Sequence, residues 1–179
     1  MNFGRDSASL KKGDDLNYRT QPAYRAAIRS YPHIVVIQFG TNDAMTENLW
    51  NETNFTDNYL ELINDFKKLS SQPTIYLNIP GPIYSNRSNS DEKFIDIINI
   101  DLPIVIRKIA ALSDSTVIDL YNVLGGAELK YPETMSDDDV HPNDYGYIKI
   151  AHEVAFTISN NENFTILHHH NKHSSFHNS

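Results

Sequence analysis

The sequence predicts an α/β fold, a parallel sheet with helices on both faces. Three short runs rich in β-branched residues point to buried strands. The stretches between them carry apolar residues at spacings of three and four, as amphipathic helices do. The 179 residues suffice for one such domain with a core of its own.

Residues 33–39, "HIVVIQF", lie between Pro32 and Gly40 and read as a strand buried on both faces. Residues 73–80, "PTIYLNIP", and 115–121, "STVIDLY", read as the second and third strands. "QPAYRAAIRS", ahead of the first strand, is a short helix candidate. In 57–70, Tyr59, Leu62, Ile63, Phe66 and Leu69 form one stripe, and in 91–112, Phe94, Ile97, Ile98, Ile106 and Ile109 form another. Pro103 interrupts the second pattern and predicts a kink or break. A last helix over roughly 143–158 presents Tyr147, Ile150, Ala151 and Val154. No internal repeat is visible. The domain is expected over 1–159, followed by a disordered His- and Asn-rich tail over 160–179. His168, His169, His170, His173 and His177 could ligate a metal loosely, but nothing fixes their geometry.

Composition narrows the function. Apolar residues make up 40% and charged residues 21%, a globular rather than a disordered balance. The net charge of −8 disfavours a nucleic-acid partner, which needs clustered Lys and Arg. The absence of cysteine excludes disulfides, thiolate catalysis and Cys-based zinc sites. No run approaches a membrane span and no signal peptide is visible. Sequons at Asn51, Asn54, Asn86 and Asn163 permit a secreted parent protein without requiring one. Compartment and oligomeric state stay open.

Two motifs carry chemistry. "FGTNDA", residues 39–44, follows the first strand, where open α/β sheets bind ligands. Gly40 permits a sharp turn, and the Asn42 amide is a suitable donor to a developing oxyanion. Equally, Asn42 and Asp43 could simply form an Asx turn. "DDDVHPNDYGY", residues 137–147, places Asp138 three positions before His141. A carboxylate at that spacing can hold one imidazole nitrogen and leave the other as a general base. The plainer reading is a capping loop with an exposed histidine, Asn143 or Asp144 serving as the cap.

Together and in this order, the chain resembles the SGNH (GDSL-like) hydrolase superfamily. "GTND" is similar to its block G-x-N-D and "DDDVHPND" to its block D-x-x-H-P. The likeness continues through "NFGRDSASLKKGD", "PAYRAAI", "LPIVIRKIA" and "VIDLY", so that residues 2–158 are covered. These stretches resemble the acylhydrolases labelled carbohydrate or sialate O-acetylesterases. The resemblance implies a three-layer α/β/α, flavodoxin-like parallel sheet. It implies ester hydrolysis through an acyl-serine, with a small-molecule or carbohydrate ester as substrate and no metal or cofactor. His141 would be the base, Asp138 its orienting partner and Asn42 an oxyanion-hole side chain, with Gly40 and Asp43 in support.

The resemblance also locates "NFGRDSASL". No strand-like run separates Ser7 from His33, so Ser7 stands one βα unit before the G-x-N-D strand. The nucleophile belongs two units before it. Asn2, Gly4 and Ser7 then occupy the block N-x-G-x-x-G, whose last residue donates its backbone N–H to the oxyanion. A serine there is strained if the position needs positive φ. No Gly-Asp-Ser occurs anywhere in the sequence. The expected sheet therefore lacks its first strand and most of its second, and "IVVIQF" becomes an unpaired apolar edge. The expectation is a serine acylhydrolase missing its nucleophile block and inactive as this fragment. The alternative is a non-catalytic remnant that binds a glycan or a protein partner. A flavodoxin-like nucleotide-binding domain would share the architecture, but Gly125-Gly126 has no G-x-G-x-x-G around it.

Overall fold

The computed structural model describes residues 1–45, 50–84, 92–126 and 132–174, with side chains described up to Asn161 except at Glu92, Lys93 and Pro132. Its elements are α1 (Pro22–Arg29), β1 (Ile34–Ile37), α2 (Thr41–Met45), α3 (Glu52–Lys67), β2 (Thr74–Ile79), α4 (Glu92–Asp96), a π-helical turn (Ile97–Asp101), α5 (Leu102–Leu112), β3 (Thr116–Asp119), α6 (Leu120–Val123) and α7 (Asp144–Ser174). The strands form one parallel sheet in the order β1-β2-β3. Val36 pairs with Tyr76 and Tyr76 with Thr116, so the three strands share one direction and one end. This is the alternating α/β architecture expected.

Strand alternation divides the core. Ile75, Leu77 and Ile79 point to one face, where α3 and α5 cover them. The stripe read from the sequence is the one buried: Tyr59, Leu62 and Ile63 are inaccessible to solvent, and Phe66 nearly so. Ile97, Ile98, Ile106 and Ile109 are likewise buried, with Phe94 partly so. Tyr76 and Ile118 point to the other face, where Ile150, Val154 and Ile158 of α7 pack on them.

The structure corrects the sequence reading in several places. β1 is not buried on both faces: Ile34 and Val36 are each 40% exposed. Among the described residues its only strand partner is β2, so the other edge is unpaired, as expected for "IVVIQF". On α7, Tyr147 and Ala151 face solvent, and the packed stripe runs through Ile150, Val154 and Ile158. Pro103 does not break its helix. Having no N–H for the Asn99 carbonyl, it sits at the start of α5, and the preceding turn widens so that the Leu102 N–H reaches Ile97 O. α7 runs to Ser174, past residue 160, where the tail was expected to begin; once the first turns are packed, each further residue adds a helical bond at little cost. Asn86 and His177 lie outside the described residues. Among the described residues no helix is long and apolar enough to cross a membrane.

α7 approaches the preceding loop closely. A Cβ on Gly146 would lie 2.2 Å from the Thr134 carbonyl oxygen and 2.9 Å from Pro142 Cβ. Gly146→Ala is therefore expected to destabilise the fold by about 1–3 kcal/mol. An unchanged melting temperature in thermal denaturation would contradict this.

Candidate active site

Because the strands are parallel, the loops after β1, β2 and β3 gather at one end of the sheet. The turn after β1 begins at Gly40, whose φ of +125° suits glycine and whose missing side chain makes room for Leu102. It leads directly into α2, where the Ala44 N–H donates to the Gly40 carbonyl at 2.8 Å.

Asn42 and Asp43 then turn opposite ways. Asn42 is exposed, and its Nδ2 donates to the Ala8 carbonyl at 3.1 Å. Asp43 is buried, and its Oδ1 accepts the Leu10 N–H at 2.7 Å. Two successive side chains thus hold the backbone at residues 8–10 against the end of β1. Asp43 does more than close its own turn, because the Leu10 N–H that it accepts is more than thirty residues away. Burial raises its carboxyl to about 6, and its Oδ2 has no hydrogen-bond partner.

This clasp places the Ser7–Ala8 peptide beside Asn42. Ser7 is exposed and adopts φ +57°, in the left-handed region. The strain anticipated for a serine there is present. No regular strand precedes it: Asn2 Oδ1 accepts the Gly4 N–H at 2.8 Å, and the Tyr18 hydroxyl donates to the Phe3 carbonyl at 3.0 Å. This geometry is a pinned loop, not a strand-to-helix elbow.

The second group lies on the loop before α7. Asp138 Oδ2 is 2.6 Å from His141 Nδ1. Asp138 Oδ1 accepts the Ser136 hydroxyl at 2.7 Å and the N–H groups of Val140 and His141 at 2.9 Å each. These donors hold the carboxyl well below the usual carboxylate range, the His141 backbone N–H contributing most. An ionised carboxylate only accepts, so the proton between them belongs to Nδ1. The neutral ring then carries its lone pair on Nε2, and the side chain is 71% exposed.

Main-chain bonds fix this loop at the same end of the sheet. The Tyr84 N–H, just beyond β2, donates to Asp139 O at 3.1 Å, and the Ser136 N–H donates to His141 O at 2.8 Å. Asn143 caps α7 by accepting the Gly146 N–H at 3.0 Å, and its amide also donates to Glu133 O and Met135 O. The stretch thus holds both a helix cap, at Asn143, and a carboxylate–imidazole contact, between Asp138 and His141. Sequence reasoning missed Ser136, which fixes Asp138. It also missed Asn99, whose amide donates to Ile83 O at 2.8 Å and accepts the Ile83 N–H at 2.9 Å, holding the loop after β2. The Ser-x-Asp spacing was a usable signal for the first; the second is non-local. Among the described residues no group of three His, Asp or Glu side chains could hold a metal ion.

Comparison with known proteins adds three findings. The model of the GDSL-like lipase/acylhydrolase family matches residues 3–148. An acetylxylan esterase of Xylanibacter ruminicola is 27% identical over 176 aligned residues, covering 88% of this chain but only 35% of that protein. Among solved structures, a GDSL-like lipase from Bacteroides thetaiotaomicron has a TM-score of 0.62 at 21% identity, covering 76% of this chain and 67% of its own. An acetylxylan esterase from Geobacillus stearothermophilus has a TM-score of 0.60 at 22% identity, covering 83% and 66%. Those two structures show that the fold is shared. Catalytic mutants of the Geobacillus esterase replace a serine, an aspartate and a histidine three positions after that aspartate.

The state of Asp43 makes a testable difference to stability. Its folded pKa lies above its unfolded value, so its contribution is full at low pH and is lost as pH rises through about 6. Asp43→Asn keeps an oxygen for the Leu10 N–H and removes this titration. Between pH 4 and 7 the variant is expected to gain stability relative to the parent by up to roughly 3 kcal/mol. Thermal melts across that range check it; a constant difference would refute it.

Proposed function

Since the chain belongs to the GDSL-like lipase/acylhydrolase family, we propose that it forms the base and oxyanion parts of a serine esterase acting on O-acetylated carbohydrate. The observation that carries the reading is the Asp138–His141 pair, with its 2.6 Å contact at Nδ1 and its exposed ring. The acetylxylan esterase relatives support the substrate class, and the aspartate–histidine spacing of the Geobacillus catalytic mutants supports the pair.

In this reading His141 Nε2 removes the proton of a serine hydroxyl, whose oxygen attacks the acetyl carbonyl. Asp138 holds the tautomer and stabilises the imidazolium that forms. Negative charge builds on the carbonyl oxygen and is met by the Asn42 amide and the Ser7 backbone N–H, which the Asn42–Ala8 bond keeps together. The intermediate collapses, and the sugar hydroxyl leaves with the proton from His141. Water then attacks the acyl-serine with His141 again as base.

The nucleophile is not Ser7. Its pinned, strandless loop and its place in the oxyanion block argue against that role, and the sequence has no Gly-Asp-Ser. The residues present supply base, orienting carboxylate and oxyanion donors, and such a set without a serine gives little turnover. The chain alone is expected to hydrolyse p-nitrophenyl acetate near background, with Ser7→Ala leaving the rate unchanged. Turnover abolished by Ser7→Ala would overturn the assignment.

In a longer chain that carries the serine, Asn42→Ala is expected to lower kcat by about 10²–10³ with KM little changed. His141→Ala should cost more, because the serine then has no base. Steady-state kinetics on acetylated xylo-oligosaccharide measure both, and a change confined to KM would refute the oxyanion role.

A further inference from the structure

We infer that the outer face of α7 is a platform for sugar rings of the carbohydrate chain, extending the binding surface beyond His141. The inference rests on the esterase reading for the nature of the chain and on the α7 face for its place. Tyr145, Ile148, His152 and Phe156 follow one another at spacings of three, four and four, so they share one side of the helix. All four are exposed, and Tyr145, Ile148 and Phe156 are each more than half exposed. The stripe that packs on the sheet, Ile150, Val154 and Ile158, is a different one. From Tyr145 to Phe156 the helix rises about 16 Å.

The stripe begins next to the histidine loop. Tyr145 stands in the first turn of α7, four residues after His141. Lys149 Nζ lies over its ring, 5.0 Å from the centroid, and steadies it. A shallow groove of about 490 Å³ runs beside the stripe, between Asn122 and Val123 of α6 and Ile148, Lys149, His152 and Glu153 of α7. α6 follows β3, so the groove belongs to the β3 side of the sheet, away from β1. A chain held by its ester at His141 has this surface directly in its path.

Chemistry selects the occupant. A sugar ring presents faces of C–H bonds and a rim of hydroxyls. The C–H face is slightly positive and suits the negative face of an aromatic ring. The rings of His152 and Phe156 are nearly parallel, 9° apart in plane, with centroids 6.3 Å apart. Parallel rings at that separation are offset rather than superposed, so much of each face is open to a third ring. The polar ends of Lys149 and Glu153 stand along the groove, where hydroxyls need partners. A purely apolar partner would bury those two groups without matching them, which costs free energy. A sugar chain matches both, with C–H faces on the stripe and hydroxyls toward the groove.

The test is an NMR titration of the chain as it is with xylohexaose, which carries no ester. Saturable shifts of the Tyr145, His152 and Phe156 ring signals are expected, with saturation transfer to the sugar C–H protons. Tyr145→Ala and Phe156→Ala should each weaken binding about five- to tenfold. Phe156→Leu keeps apolar bulk but loses the ring face, and should weaken it as much. Tyr147→Ala removes an equally exposed aromatic that lies off the stripe, and should leave binding unchanged. Absence of saturable binding, or full binding by Phe156→Leu, overturns the platform. So does a loss in Tyr147→Ala as large as that in Phe156→Ala, which would mark a non-specific apolar effect. Ring shifts that grow with protein concentration alone, alongside a doubled mass, would mean that a second copy covers the face and would also overturn it. No arm reads ester hydrolysis. Failure here leaves the catalytic reading to its own kinetics, and binding here with no esterase activity in a longer chain would overturn the catalytic reading alone.

Discussion

The end of β1 is organised around a carboxylate that water barely reaches. Asp43 accepts the Leu10 N–H, and Leu10 is itself almost fully buried. Around that bond the loop folds on itself: Asn17 donates to the carbonyls of Leu10 and Lys11, and the Tyr18 N–H donates to Ser9 O. The Ser7–Ala8 peptide is held from both sides, by this latch after it and by the Tyr18–Phe3 bond before it. The Asn42–Ala8 bond, at the exposed end of the same turn, is the outer half of the latch. Arg19, bonded to Asp65 and Glu61 on α3, secures the far side of the loop.

Two aspartates in this end of the molecule have their pKa values shifted in opposite directions, for opposite structural reasons. Asp43 lies in the core with one oxygen lacking a partner, and burial raises its pKa to about 6. Asp138 stands at the surface with donors converging on both oxygens, so its charged form is favoured. The first anchors the Leu10 N–H inside the core. The second can serve an imidazole because it stays ionised whatever the imidazole does.

Much of this was legible in the sequence, and the parts that were not share a cause. The α3 stripe through Tyr59, Leu62 and Phe66 and the three strand runs are local patterns, and local patterns survive into the fold. The Asp138–His141 contact was legible because both partners lie within one short loop. The α7 face was misread at Tyr147 and Ala151 because only the positions of Tyr76 and Ile118 decide which stripe is covered. The burial of β1 was overestimated because the apolar run by itself does not show what covers its faces, although the absence of a strand beside it was expected from the order of the family blocks. The work of Asp43 and Asn99 is done across gaps of more than thirty residues and of sixteen, which no spacing rule reports.

The π-helical turn acquires a mechanical meaning from what it holds. Asn99, inside that turn, grips both polar groups of Ile83; the next residue, Tyr84, donates its N–H to Asp139, two positions before His141. Helix, strand-end loop and histidine loop are therefore joined in series by a few hydrogen bonds. The position of the histidine is thus set in part from a helix on another layer, through Ile83 and Tyr84, and a displacement of the turn would be passed along those bonds.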